Sequence, residues 1–519
     1  MQPDSVPKPA GELTSDQSGV QTAAQPQAAT AVIPPEVLVL GGGPAGLACA
    51  MELSRHRRPS ILIEKDAQVG GLAKTLTIRE GDQVFLTDIG PHRFFSKNQY
   101  LYDFIEDLLH EEWRQVPRLT RQFIDGKFYD YPVKALQVFR NIGPWKTFRI
   151  LLDYAVARLQ FGLFRRPMST FEDYVVANFG RTLAEFSMIN YTEKIWGIPA
   201  DTIHPDWAKQ RIHGLNLWSV AKNILSSALL PRRAGKQAPK SLVDQFYYPQ
   251  FGTGRIYEEI KQHLQATGTR IETSSEPIAV RHDGKRITSV DVRLADGRVE
   301  TLHPQHVVES VPLTAFLKLL DPPPPPPVLE AAQGLKWRAQ VYLFLTLDKE
   351  QVTADNWIYF PNREIPFGRT SEMKNFSKDM CPPGKTSFFI EFFAFETDAI
   401  WSMTKEQVLD LVMPYFERWG FFTRAEVRDS YLWKRSHVYP VYDLEYKDRL
   451  SVIQQWLDGI ENLIYLGRPG RFRYTNQDHS LEMGIVASRM ILEGRKYDLD
   501  AIGSENEYFE KGPIYEKRL

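Results

Sequence analysis

Cysteine is almost absent from this sequence. Cys49 and Cys381 are the only two in 519 residues, which excludes a disulfide framework or a cysteine-built metal cluster and suits a reducing compartment. Charge imbalance is missing too. The 63 lysines and arginines face 64 aspartates and glutamates, for a net charge of −1, so no global field recruits nucleic acid. No apolar run is long enough to span a bilayer, and no signal peptide is recognised at the start. A cytoplasmic protein is expected, with a peripheral position at the inner face of the membrane as the second choice. CxxC, HExxH and nucleophile-elbow motifs are also lacking, and no metal site is expected.

What is present starts at residue 37. An apolar strand, Val37 to Leu40, runs into Gly41-x-Gly43-x-x-Gly46 and then a helical pattern, Leu47 to Leu53. The first glycine permits a tight turn, the second lets backbone approach a pyrophosphate, and the third lets helix pack close to strand. Pro44 and Ala45 complete the turn, and N–H groups at the helix start hold the anion. A second strand, Ile61 to Ile63, ends in Glu64, 18 residues past Gly46, where a carboxylate accepts from an adenosine ribose. Lys65 follows it. Gly70, Gly71, Leu72 and Lys74 supply a second close approach, with a basic residue for phosphate. Without a ligand the segment would be an ordinary βαβ unit.

The remaining pattern predicts an α/β protein built by insertion. Residues 1–33, rich in Pro, Ala, Gln, Ser and Thr, read as a disordered tail. Residues 34–95, 245–320 and 461–495 form a discontinuous Rossmann-like domain. Residues 96–235 form a mostly helical insertion, 330–460 an antiparallel sheet domain, and 496–519 a C-terminal extension. Residues 276–309 read as a β meander punctuated by Asp283-Gly284 and Asp296-Gly297. Asp321 and the six prolines after it read as a stiff connection rather than an element. A last helix is expected from near Ser480. Arg140 to Arg166 and Leu217 to Arg233 combine apolar faces with basic residues, including Lys146, Arg149, Arg158, Arg165 and Arg166. Such helices can lie on anionic membranes, but the preferred reading is domain packing with a solvated basic face.

Several segments resemble the UDP-galactopyranose mutases. Gly90-Pro91-His92-Arg93-Phe94-Phe95 resembles their G-P-H-x-F-H loop, and the Asp125-Gly126 turn through Pro132 resembles their N-G turn. Tyr191-Thr192-Glu193-Lys194-Ile195-Trp196-Gly197 resembles Y-T-x-K-x-W-G. Arg363-Glu364-Ile365-Pro366-Phe367-Gly368-Arg369 through Phe376 resembles R-E-V-P-Y-T-R…E-x-K-x-F, and Gly467-Arg468 through Tyr474 resembles G-R-x-x-x-Y-x-Y. The resemblance implies FAD, shared with the protoporphyrinogen-oxidase and amine-oxidase relatives. It implies a pyranose-to-furanose mutase in which N5 of the reduced flavin is the nucleophile, serving cell-surface polysaccharide biosynthesis. The implied partners are a nucleotide sugar, an electron donor such as NAD(P)H or a reductase, and a second copy in a homo-oligomer.

The same resemblance assigns residues. Gly90 and His92 lie against the flavin ring, with Arg468 and the helix start at Asp478 also on the cofactor. Arg338 binds the diphosphate, since a guanidinium fits phosphate bidentately. Tyr191 and Trp196 edge the base, while Arg369 and Tyr474 complete the substrate site. Phe95 stands where the family has a second histidine. Phe367, Phe472 and Asn476 replace tyrosine, tyrosine and aspartate, which argues against identical substrate recognition. Arg211 is the nearest candidate for the family's mobile-loop arginine. An FAD oxidoreductase of the oxidase or desaturase type is the alternative, and a flavin-binding partner protein without turnover is the third reading.

Overall fold

The computed structural model describes residues 36–131, 135–208 and 245–503. The predicted tail, the basic stretch Leu217 to Arg233, Arg211 and most of the C-terminal extension lie outside these residues. The described residues form one compact unit.

Its centre is a five-stranded parallel sheet in the order Leu463–Tyr465, His306–Glu309, Val37–Leu40, Ser60–Ile63 and Arg270–Glu272. Four chain regions far apart in sequence therefore meet side by side. The strand Val37–Leu40 is wholly buried, as a parallel strand covered on both faces must be. The helix Pro44–Arg55 leaves this strand with Pro44 in its first turn, where a missing N–H costs nothing. It crosses the last helix, Gln477–Glu493, at unusually close range. A Cβ on Gly484 would lie 2.1 Å from the Ala45 carbonyl oxygen and 2.9 Å from the Ala48 Cβ, so only glycine allows this crossing.

A seven-stranded sheet forms the second layer. Its order is Val427–Pro440, Trp337–Leu347, Thr386–Ala394, Arg369–Ser371, Trp357–Tyr359, Thr120–Ile124 and Lys127–Asp130. The described part of residues 96–235 is mostly helical, as expected, but the last two strands of this sheet also come from it. Asp125 and Gly126 both adopt positive φ, 51° and 75°, giving the hairpin turn that Asp-Gly favours. The hairpin then pairs in parallel with Trp357–Tyr359, a partner more than 200 positions away. The expected meander is observed for Glu276–His282, Ile287–Arg293 and Val299–Leu302, but His306–Glu309 leaves it for the parallel sheet. The last two prolines of the run open a helix, Pro326–Gly334. The final helix starts at Gln477, three residues before the expected position.

Candidate active site

The glycine turn has an internal reason at two of its three positions. Gly41 sits at φ 103°, and a Cβ there would meet the Ser310 Oγ at 2.4 Å. A Cβ on Gly46 would lie 2.0 Å from the Gly41 carbonyl oxygen, so helix and strand pack as the motif requires. Gly43 differs. Its φ of −77° and ψ of −178° suit any residue, and an added Cβ would meet nothing nearer than the Gly71 Cα at 4.0 Å. No side chain caps the helix that starts there.

The second glycine loop folds onto the first. The Gly70 N–H donates to the Gly42 carbonyl at 2.7 Å, which sets Gly71 opposite Gly43. Glu64 closes the other side. Its carboxylate accepts from the Gly42 N–H at 2.7 Å and the Asp66 N–H at 2.8 Å. Burial pushes its pKa up while those N–H groups pull it down. Each carboxylate oxygen keeps acceptor capacity for a hydroxyl.

At the far end of the crevice Gly90, at φ 94°, lies over an ion pair. A Cβ on Gly90 would be 2.8 Å from the Glu391 Oε1 and 3.7 Å from the Arg369 Nη2. Arg369 grips Glu391 through two donors, one of them at 2.9 Å and the other from Nε. Burial drives His92 down to about 3, with Arg468 and Arg369 adding to the effect, so its imidazole is neutral at physiological pH. Its Nδ1 is buried and has no hydrogen-bond partner among the described residues. The last helix reaches the same loop, where the Gln477 Nε2 donates to the His92 carbonyl at 3.0 Å. Arg468 donates to the Thr475 carbonyl at 2.9 Å, and its guanidinium lies 4.7 Å from the Tyr474 ring. Tyr474 stacks on Tyr439 at 5.7 Å. Tyr191 is edge-on to Tyr359 at 5.3 Å and within the field of Arg369. Gly467 brings this third segment to the first helix, since its Cβ would lie 3.2 Å from the Ala45 Cβ. Asp478 is buried in the first turn of the last helix beside His479, and burial raises its pKa.

Other expected site residues are placed elsewhere. Lys74 is buried and spends its ammonium on Asp66 at 2.5 Å and the Gln68 carbonyl at 3.1 Å, so its charge locks the loop rather than facing the crevice. Lys65 is largely exposed and pairs with Glu276 at 2.9 Å. Leu72 packs against the core of the parallel sheet. Trp196 is fully buried, stacked on Tyr442 at 5.7 Å and edge-on to Trp207 at 4.7 Å, so the base-stacking role gives way to a core role. Arg338 donates to the carbonyls of Ile195 at 2.8 Å, Phe393 at 2.9 Å and Lys194 at 3.3 Å, and meets Asp398 at 3.4 Å. In this conformation it braces a helix against the sheet, and a diphosphate would have to displace those partners. Phe367 is buried among Phe360, Phe416 and Trp419, and Phe472 packs on Trp337. Both replace tyrosines inside cores, so they do not make the crevice more apolar. Asn476 caps the last helix without a side-chain hydrogen bond.

Sequence reasoning missed Asp88. This fully buried carboxyl accepts from the Thr75 hydroxyl at 2.5 Å, the Tyr248 hydroxyl at 2.6 Å and the Thr253 N–H at 3.1 Å. Thr253 and Tyr257 then donate to the Gln477 Oε1 at 3.1 and 2.8 Å, so the network ends on the residue that holds the His92 loop. Burial pushes the Asp88 carboxyl up to about 7. A raised acid pKa stabilises the fold fully below the unfolded value near 4, and that stabilisation is lost as pH rises through 7. Asp88→Asn carries no such titration. Urea unfolding at pH 5 and pH 8 should therefore show the stability of the native chain relative to this variant falling by roughly 3 kcal/mol over the interval. A difference that does not change with pH would remove the assignment. Glu391, also missed, had a visible signal: it is the only charged residue in the apolar run S-F-F-I-E-F-F-A.

A family model for flavin containing amine oxidoreductases matches residues 44–442. The chain is 26% identical over 186 residues to a UDP-galactopyranose mutase of Mycoplasma pneumoniae (strain ATCC 29342 / M129), a match covering 33% of this chain and 42% of that protein. The match thus spans less than half the length of that curated relative. A solved structure of reduced UDP-galactopyranose mutase superposes with a TM-score of 0.75 at 22% identity, covering 92% of this chain and 98% of that one. Putrescine oxidase bound to putrescine superposes with a TM-score of 0.60 at 15% identity, covering 89% and 99%. At these identities the structures show a shared fold.

Two features of the crevice fit a flavin dinucleotide. Gly43 has no need within the protein to be glycine, yet it faces Gly71 across a gap that a Cβ would enter. His92, at the other end, holds a buried ring nitrogen with no protein partner among the described residues, a costly arrangement unless a ligand supplies one.

Proposed function

The chain belongs to the flavin containing amine oxidoreductase family, and from that premise we propose that this FAD enzyme is a sugar-nucleotide mutase, interconverting pyranose and furanose rings on a substrate that need not be UDP-galactopyranose. The observation that carries this reading is an interlock between two segments outside the dinucleotide crevice. Lys194 donates to the carbonyls of Phe360 and Asn362, each at 2.6 Å, and of Phe367 at 3.1 Å. Burial pulls this lysine down to about 7, while three carbonyl acceptors favour its charged form. Arg363 reaches back to Asn190 at 3.0 Å and to Glu193. These are the Y-T-x-K and R-E-x-P segments that resemble the mutases. Together they hold Tyr191 within the field of Arg369, whose charge also reaches His92, and flavin binding by itself does not call for either.

FAD in its reduced form supplies a nucleophilic nitrogen to the anomeric carbon when bound. The chain supplies the rest. Backbone N–H groups at the start of the helix Pro44–Arg55 and at Gly71 would hold the cofactor's diphosphate, and Glu64 would accept from its ribose. His92, kept neutral by burial, presents a ring nitrogen without adding charge. Arg468 gives its hydrogen bonds to a neutral carbonyl and so keeps its charge available to the flavin. Tyr474 and Tyr191 offer ring surfaces for sugar or base. NAD(P)H or a reductase would provide the electrons.

The family model itself describes oxidoreductases, which keeps an oxidase or desaturase as the second reading. Anaerobic stopped-flow mixing of dithionite-reduced protein with UDP-, GDP- and dTDP-hexoses separates the two. The mutase reading expects a furanose product on chromatography, with no net reoxidation and no turnover by the oxidised protein. Bleaching of the oxidised flavin by substrate, without prior reduction, would replace it with the second reading.

A further inference from the structure

The helix after the kink at Gly143 turns its apolar side outward. Trp145, Phe148, Leu152, Val156, Leu159 and Leu163 recur every three or four residues, one face of a helix, and all are exposed, Trp145 by 77% and Leu163 by 68%. The opposite face does the packing, through Ile150, Ala157 and Phe161, which are buried. Asp153 points the same way, accepting from the Thr182 N–H at 3.2 Å. The sequence reading had the apolar side packed and the basic side solvated. Instead both face out.

The charges around this ridge are of one sign. From Pro144 to Met168 there are five basic residues and one acid, the inward Asp153. Arg149 and Arg158 fall on the two edges of the stripe by helical spacing, and Arg165 and Arg166 lie at its end. Lys146 and Arg166 have distant acid partners, Asp125 at 3.9 Å and Asp173 at 3.1 Å. No carboxylate of the described residues pairs with Arg149, Arg158 or Arg165.

The structure assigns this ridge to an anionic lipid surface, with the helix lying in the plane of the interface. An exposed helix with a wide apolar stripe, basic edges and exposed aromatic residues at both ends, Trp145 and Phe164, suits the boundary between headgroups and acyl chains. Basic residues near anionic lipid add roughly a factor of five each to the binding constant. A second copy fits less well. A two-fold pairing of the stripe on itself would bring arginine edges together, with no acid on the ridge to answer them.

The test is co-sedimentation of the full-length protein with vesicles of phosphatidylcholine alone or mixed with phosphatidylglycerol, alongside light scattering of the protein without lipid. The mixed vesicles should carry down at least about tenfold more protein at low salt, and added salt should reverse this. Trp145→Ser/Leu152→Ser/Leu159→Ser should abolish binding to both vesicles without lowering the unfolding temperature, because these side chains are already exposed. Arg149→Gln/Arg158→Gln should remove the preference for anionic lipid and spare residual binding. Absence of protein from both pellets would overturn the assignment, as would pelleting unchanged in the triple variant. A stable dimer that the triple variant splits, with no vesicle binding, would give the ridge to a second copy instead.

Discussion

Gly43→Val should yield a folded protein that no longer holds flavin. The backbone at Gly43 is extended, with φ −77° and ψ −178°, so valine meets no conformational penalty there. Its branches enter the gap toward Gly71, where the nearest atom to a Cβ is 4.0 Å away, and they occupy the space proposed for the diphosphate. FAD affinity should fall by roughly a hundredfold or more, equivalent to about 3 kcal/mol. Unfolding of the apoprotein should stay where it was. Gly46→Ala is the contrast, because its Cβ would lie 2.0 Å from the Gly41 carbonyl oxygen and would lower apoprotein stability directly. Titration of both apoproteins with FAD, beside thermal unfolding, separates a ligand cradle from a packing glycine. Unchanged affinity in Gly43→Val would show that the cofactor does not pass between these two turns.

Arg369→Leu should be among the most destabilising single changes in the chain. The Glu391 side chain is 1% exposed and its carboxylate pairs with Arg369. Removing the guanidinium strands that charge, which costs about 3–5 kcal/mol. Arg369→Leu/Glu391→Gln should recover most of the stability, since no unpaired charge is left. Activity should not recover with it, because Arg369 lies beside Gly90 and His92 at the proposed substrate end of the crevice. Urea unfolding and turnover of the three proteins decide the matter. If the double variant regained both stability and turnover, the pair would be a packing device alone.

The legible parts of this protein are those whose physics is local. The glycine turn could be read because strand, turn and helix follow one another within about twenty residues, and Gly41 and Gly46 each have a separate steric reason inside the protein. The antiparallel sheet expected in residues 330–460 is there, with Trp337–Leu347 paired to Thr386–Ala394. Asp88 was not legible. Its partners Tyr248 and Thr253 come from beyond an insertion, and nothing in T-D-I-G-P marks a fully buried carboxyl. The hairpin Thr120–Asp130 carried its Asp-Gly signal, but its short strands gained a sheet only through Trp357–Tyr359. Trp196, Arg338, Phe367 and Phe472 share another obstacle. A motif gives the position of a side chain along the chain, but where the backbone is buried on both sides, in an element as for Trp196 and Arg338 or in a loop as for Phe367 and Phe472, it does not tell which side meets the crevice. Phe367 and Phe472 therefore looked like substrate contacts when they are core.

The central claim is that a flavin dinucleotide lies between the glycine turns and ends at His92. Passing the wild-type protein, reconstituted with excess FAD, through gel filtration tests it most directly. One flavin per chain should elute with the protein and keep its yellow absorbance. A colourless protein peak, with all the flavin in the small-molecule fraction, would contradict the account and remove the basis for both enzymatic readings.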